Sequence, residues 1–173
     1  MTSKEQRIRN LHLEAFGDTE GPIVSELAGA FLSLPDSISI CVERGDKEIG
    51  NIIFTPFHLI DHPDKVCFLL APLGVLPEFQ RQGVGAELIA KGIAHLKSLD
   101  ADAIFVLGHP RYYALRGFEP ARVLSPYHEV MTHHEAWKML EIKPGSMSGA
   151  GGTSMAAKPI MKREFWDTSG RPS

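Results

Sequence analysis

The stretch GVLPEFQRQGVG, from Gly74 to Gly85, passes from a strand-like pattern into glycines that open a helical one. Gly83 and Gly85 carry no Cβ, so a bulky anion can approach the backbone there. A helix start also exposes unpaired N–H groups at the positive end of its dipole. Arg81 adds a cation, and Gln80 and Gln82 add amide donors. This is the chemistry of phosphate or diphosphate binding. The same glycines equally serve a tight strand-to-helix turn, and spacing alone leaves both readings open. A dinucleotide motif of the form G-x-G-x-x-G is not met, because Leu88 stands at the third glycine's place. The phosphate loop ending in Gly-Lys-Ser/Thr is absent as well.

Other residues invite chemistry less strongly. His58, His62 and Asp64 lie in HLIDHPD, but the region reads as a strand end with Pro63. The helical spacing that would aim both imidazoles at one metal is therefore lacking, and no metal is expected. HHE (133–135) reads as exposed loop, GSMSGAGG (145–152) as a mobile turn, and MKRE (161–164) as a solvated charge cluster. Cys41 and Cys67 each sit in an apolar run and read as small buried hydrophobes.

The elements that must position the glycines follow from periodicity. Residues 4–16 place Ile8, Leu11, Ala15 and Phe16, with Leu13 fitting less well, near one helical face, and Gly17 ends that helix. A second helix fits 20–33, with Ile23, Val24, Leu27, Ala30, Phe31 and Leu32, and Pro35 stops it. Strands are predicted over 37–44 and 48–60 around a GDK turn, then over 66–75, which is nearly all apolar and so central. A long helix follows from 83 to about 99, striped by Val84, Leu88, Ile89, Ile93, Leu96 and Leu99. A strand over 101–108, a short helix from Pro110 to Gly117, an extended run from Phe118 and a strand over 136–143 complete the pattern. The 66–107 strand–helix–strand unit is expected to be parallel and right-handed. The layout is a mixed α/β one in a single domain over 1–166, with a disordered tail over 167–173.

VLPEFQRQGVGAELI resembles the acyl-CoA-binding motif of the GNAT (GCN5-related N-acetyltransferase) superfamily, Gln/Arg-x-x-Gly-x-Gly/Ala entered from Val-x-Pro. The motif falls on Gln80, Gly83 and Gly85, behind Val75 and Pro77. The aromatic pair and Gly-Phe of YYALRGF, Tyr112 to Phe118, match the second half of the family signature. The wider pattern over roughly 10–145 resembles the YhbS-like bacterial branch. This implies a mixed central sheet with helices on both faces and strands that splay at the acyl-CoA site. The family's first strand is missing or shortened here, since only MTSKEQ precedes the first helix.

The resemblance also implies the chemistry. Backbone of Leu73, Gly74 and Val75 would hold the pantetheine arm of acetyl-CoA, the co-substrate. Gln80, Arg81, Gln82, Gly83, Val84, Gly85 and Ala86 would wrap the pyrophosphate. The thioester would sit near Ala71–Leu73 and Gly108–His109, where backbone N–H groups stabilise the oxyanion. Tyr113, four residues before the Gly of Gly-Phe, would touch the coenzyme and donate to the departing thiolate. Tyr112 would pack. A tyrosine with a reference pKa of about 10 stays protonated at neutral pH. The alternative for Tyr113 is a structural ring that only positions sulfur. The base is unassigned among His109, Glu48 and Glu119.

The implied activity is acetyl transfer to the primary amine of a small molecule by direct attack. Two alternatives stand beside it: a protein or peptide N-acetyltransferase, and a non-catalytic acyl-CoA sensor. Phe31, Pro56 and Phe57 hint at an apolar acceptor lining, and no acidic cluster stands out for a polyamine. The net charge of −3 argues against nucleic-acid or anionic-membrane partners. No apolar run approaches the roughly 18 residues of a membrane span. MTSKEQRIRN carries no secretory apolar core, so a cytoplasmic location is expected. A homodimer is left open.

Overall fold

The structure, a computed structural model, describes residues 2–169. Its packing separates two compact units. One holds the chain up to Thr55 together with Ala71–His95, and the other holds Pro56–Leu70 and the chain from Leu96 onward.

In the first unit, α1 (Lys4–Leu32) starts where the Ser3 hydroxyl accepts the Gln6 N–H at 3.1 Å, satisfying one orphan donor of the first turn. Gly17, at φ 79° and ψ −172°, breaks the helical path, so α1 is two helical segments joined at a kink, as the glycine predicts. The buried face differs in detail from the predicted stripe. Ile8, Leu11 and His12 point inward while Leu13 is 42% exposed; beyond the kink Ser25, Leu27, Ala28 and Phe31 are buried while Ile23 is 56% exposed. Leu13 precedes the kink and lies off the ideal face of Ile8 and Leu11, and His12 turns inward because it finds a polar partner there, Asn51. Among the described residues, no strand precedes α1.

β1 (Ile38–Arg44) and β2 (Lys47–Leu59) form an antiparallel hairpin in register from Ile38↔Phe54 to Arg44↔Lys47, with an irregularity between Val42 and Glu43. Successive β2 residues face opposite sides. Asn51 meets His12 of α1 at 2.7 Å. A Cβ on Gly50 would stand 2.8 Å from Val84 and 2.9 Å from Leu88 of α2 (Val84–Ser98). The two helices therefore cover opposite faces of the strands. β3 (Cys67–Val75) leaves the sheet through Leu76, whose N–H donates to the Ile49 carbonyl at 2.9 Å.

α2 buries Val84, Leu88, Ile89 and Leu96. It stops at Ser98 rather than Leu99 because Asp100 takes φ 60° and the Ala101 N–H closes back on the Leu96 carbonyl at 3.1 Å, leaving Leu99 48% exposed.

In the second unit, β3 pairs in parallel with β4 (Ala103–Leu107) across Cys67↔Ala103, Phe68↔Ile104 and Leu69↔Phe105. β6 (Trp137–Glu141) lies antiparallel along all of β4, and β5 (Glu119–Pro120) pairs β6. The predicted extended run from Phe118 yields only these two strand residues, since Pro120 has no N–H to continue a ladder. β7 (Ser154–Met155), unforeseen in the sequence, pairs the end of β2 at His58↔Met155 and Leu59↔Ser154. Among the described residues, seven strands of mixed direction result, the fold class the sequence predicts.

An aromatic cluster centres this unit. Phe57 and Phe105 lie 4.9 Å apart, Phe105 and Trp137 5.4 Å, and Trp137 and Trp166 5.6 Å. Both indole N–H groups are satisfied, Trp137 by the Val123 carbonyl at 2.7 Å and Trp166 by that of Ile160 at 2.9 Å. Packing continues beyond the predicted limit at residue 166. Thr168 is fully buried, and its Oγ1 accepts the N–H groups of Thr132 at 2.8 Å and His133 at 2.9 Å. Residues 170–173 of the expected tail lie outside the described residues. Among the described residues, no helix is long and apolar enough to cross a membrane.

Candidate functional site

Between β3 and α2, Pro77–Phe79 make one 3-10 turn and the chain then bends back on itself. Arg81 and Gly83 both adopt left-handed backbone, at φ 63° and 83°. That conformation disfavours most side chains, which gives Gly83 its reason for being glycine. A Cβ there would meet no protein atom within 4 Å, so the space beside it is open. The Glu87 N–H donates to the Gly83 carbonyl at 3.0 Å and begins the helix. Among the described residues, the N–H groups of Val84, Gly85 and Ala86 find no backbone acceptor. They are the orphan donors of a first turn, at the positive end of a helix of 15 residues.

The side chains around this turn do two different jobs. Arg81 is exposed. Gln80 and Gln82, expected as free donors to an anion, are used internally. Gln80 Nε2 donates to the Val75 carbonyl and Gln82 Nε2 to the Glu78 carbonyl, each at 2.9 Å. They hold the bend in shape. Glu87 places a carboxylate in the first turn, where it would oppose a bound anion; Arg44 at 3.1 Å and Lys91 at 3.7 Å offset its charge. Arg44 comes from β1, and nothing in the local motif signals it.

Leu73 and Val75 are half-buried on β3, and Gly74 between them is buried. His12 lies against Gly74: a Cβ on that glycine would stand 2.5 Å from Nδ1 and 2.9 Å from Cε1. The imidazole is fully buried, and burial lowers its pKa to about 4 against a smaller raising effect of the Asn51 hydrogen bond. Asn51 Nδ2 faces Ser39 Oγ at 2.8 Å and the Ile40 carbonyl at 3.1 Å, so its Oδ1 must be the acceptor toward His12. His12 is then the Nε2–H tautomer, with an unpartnered Nδ1. Sequence reasoning passed over His12 and Asn51. The available signal was a histidine inside the apolar stripe Ile8–Leu11–Ala15.

Tyr113 belongs to the second unit, on α3 (Pro110–Ala114). Its ring is 8% exposed and packs edge-on against Tyr112 at 5.1 Å and Phe118 at 5.4 Å, with Gly108 backed against it. Burial, then the neighbouring Tyr112, push the phenol above its ordinary range. Among the described residues, its hydroxyl has no hydrogen-bond partner. Tyr112 is packed, as expected, under the Arg116 guanidinium at 3.6 Å.

Several expectations change on folding. His109 is exposed and caps α3, its Nδ1 accepting the Tyr112 N–H at 3.5 Å. Glu48 is ion-paired with Arg7 at 3.5 Å. Phe31 and Phe57 are buried in the cores of their own units. The 145–152 segment is a closed turn, tied by the Glu141 carboxylate to the N–H groups of Gly145 at 2.7 Å and Met147 at 3.1 Å. Carboxylates scattered in sequence do gather: Glu14, Glu43, Asp46 and Glu48 share a cavity of about 500 Å³ with Arg7 and Lys47. That cavity would repel a diphosphate and is no extension of the glycine turn.

Comparison with known proteins agrees with this architecture. Residues 5–118 match the acetyltransferase (GNAT) family. An uncharacterized N-acetyltransferase, YjhQ of Escherichia coli K12, is 35% identical over 150 residues, 82% of each chain. The crystal structure of Escherichia coli YhbS in complex with CoA superposes with TM-score 0.82 at 18% identity, over 94% of this chain and 89% of that one. A Brucella melitensis GNAT acetyltransferase in complex with acetyl-CoA is 28% identical, with TM-score 0.60, over 81% and 82%. With its glycine turn at the start of α2, its mixed sheet and these relatives, the chain belongs to the GNAT family of N-acetyltransferases.

Proposed function

We propose that the protein transfers the acetyl group of acetyl-CoA to a primary amine of a small molecule by direct attack. The observation that carries this is the open first turn of α2. Three unpaired N–H groups, an unobstructed Gly83 and an exposed Arg81 together fit a diphosphate. Leu73 and Val75 would offer main chain to the pantetheine arm. Gln80 already takes the Val75 carbonyl, so this contact uses the carbonyl's second lone pair or the N–H.

In the reaction the amine nitrogen attacks the thioester carbon, the C–S bond breaks, sulfur leaves with the electron pair, and the proton lost from nitrogen passes to solvent, which in turn protonates the thiolate. Tyr113 is assigned to the departing sulfur. Its raised pKa lies well above the roughly 8.5 of an ordinary thiol, so full proton transfer to the thiolate is uphill. A hydrogen bond from the intact phenol is the role its burial supports, and the free hydroxyl is available to make it.

The test is thiol release from acetyl-CoA over a panel of small amines and of peptides. Turnover with small amines is expected. Turnover with peptides alone would make the protein a peptide N-acetyltransferase. Silence throughout, beside tight acetyl-CoA binding, would make it a sensor.

A further inference from the structure

Four elements of the first unit converge on one buried side chain. His12 on α1 bonds Asn51 on β2, whose amide bonds Ser39 and Ile40 on β1. The same imidazole bears on Gly74 of β3 with no room for a methyl group between them. Gly74 lies between the two residues whose backbone is assigned to the pantetheine arm. Its φ is not left-handed, so nothing in the local chain conformation demands glycine there. The demand comes from His12.

We infer that the His12–Asn51 pair is a positioning device for the coenzyme strand: the imidazole, oriented by Asn51, sets how deeply β3 seats at Gly74 and so where Leu73 and Val75 present their main chain. A simple apolar filler would not do this. Asn51 is fully buried, and its Oδ1 needs a donor whose direction it then fixes, giving the ring one orientation. Nδ1, an acceptor that finds no protein donor, is the ring atom turned toward Gly74, and a Cβ on that glycine would stand 2.5 Å from it.

This rests on the acetyl-CoA reading, and the experiment separates the two. Acetyl-CoA is titrated into the parent and into Gly74→Ala, His12→Gln and the double variant His12→Ala/Gly74→Ala, with thermal unfolding recorded for each. If the parent does not bind, the acetyl-CoA reading fails first. If it binds, Gly74→Ala is expected to lose at least tenfold in affinity. The double variant, which clears room for the methyl group, should recover several-fold of that loss. His12→Gln keeps an amide donor for Asn51 but lacks the ring, and should bind several-fold more weakly while remaining folded. It keeps the test decisive if Gly74→Ala does not fold. Parent-like affinity in folded Gly74→Ala or His12→Gln overturns the inference. So does a change confined to melting temperature, which is what a merely structural pair would give.

Discussion

At the scale of single residues, three positions have measurable consequences. Tyr113→Phe removes only the hydroxyl, so acetyl-CoA affinity should stay within about twofold while turnover falls by roughly ten- to a hundredfold, the worth of one hydrogen bond to a developing thiolate charge. Because burial raises the Tyr113 pKa, the pH–rate profile should show no falling limb from this phenol up to about pH 10, where an ordinary tyrosine would begin to ionise. A limb there that vanishes in Tyr113→Phe would contradict the burial argument. Gly83→Val puts a side chain at φ 83° and into the open space beside the turn. The strain is about 1–2 kcal/mol, whereas calorimetric titration should show acetyl-CoA affinity falling more than tenfold. His12 ties stability to pH. Its folded pKa of about 4 lies below the unfolded 6.5, so the unfolded chain binds the extra proton between these values. The stabilisation is complete above about pH 6.5 and is lost as the pH falls toward 4. The full loss is about 3 kcal/mol, read as the difference between the parent and His12→Gln in denaturant unfolding at the two pH values.

At the scale of elements, α2 is seated by the absence of side chains as much as by their presence. Gly50 lets Val84 and Leu88 descend onto β2, and Gly92 lies directly on the Phe54 ring. Gly92→Val would force α2 away from the strand and should cost about 1–3 kcal/mol of unfolding free energy. Since the helix starts at the glycine turn proposed to hold the diphosphate, acetyl-CoA affinity should fall with it. The existence of α1, α2, the β1–β2 hairpin and the strand entering the glycines was legible in the sequence because each has a strong period or a Gly/Pro stop. Leu13, Ile23 and Leu99 were assigned to buried faces they do not occupy. Leu13 fits the Ile8–Leu11 face poorly even on an ideal helical wheel, and no wheel can anticipate the early C-cap at Asp100.

At the scale of the whole molecule, the chain beyond β6 is the least periodic and the most dependent on contacts distant in sequence. Thr168 shows this. Its hydroxyl receives two backbone N–H groups from Thr132 and His133. Thr168→Val, nearly isosteric, should destabilise by about 1–3 kcal/mol through those stranded donors, measurable as a lowered urea midpoint. Nothing local marked that residue as packed, because a polar residue near a terminus reads as solvated until its partners are known. The sequence by itself determined the family, the fold class and the position of the glycine turn at the start of α2. Those depend on short-range requirements, where left-handed backbone, missing Cβ atoms and helix-start donors must occur at fixed spacing. Only the tertiary structure decided which donors are free and which are consumed: Gln80 and Gln82 hold the loop, His109 caps a helix, Arg44 offsets Glu87, and His12 rests on Gly74 across Asn51. A hydrogen-bond partner or a close contact is a property of two residues in space, and a linear pattern carries only one of them at a time.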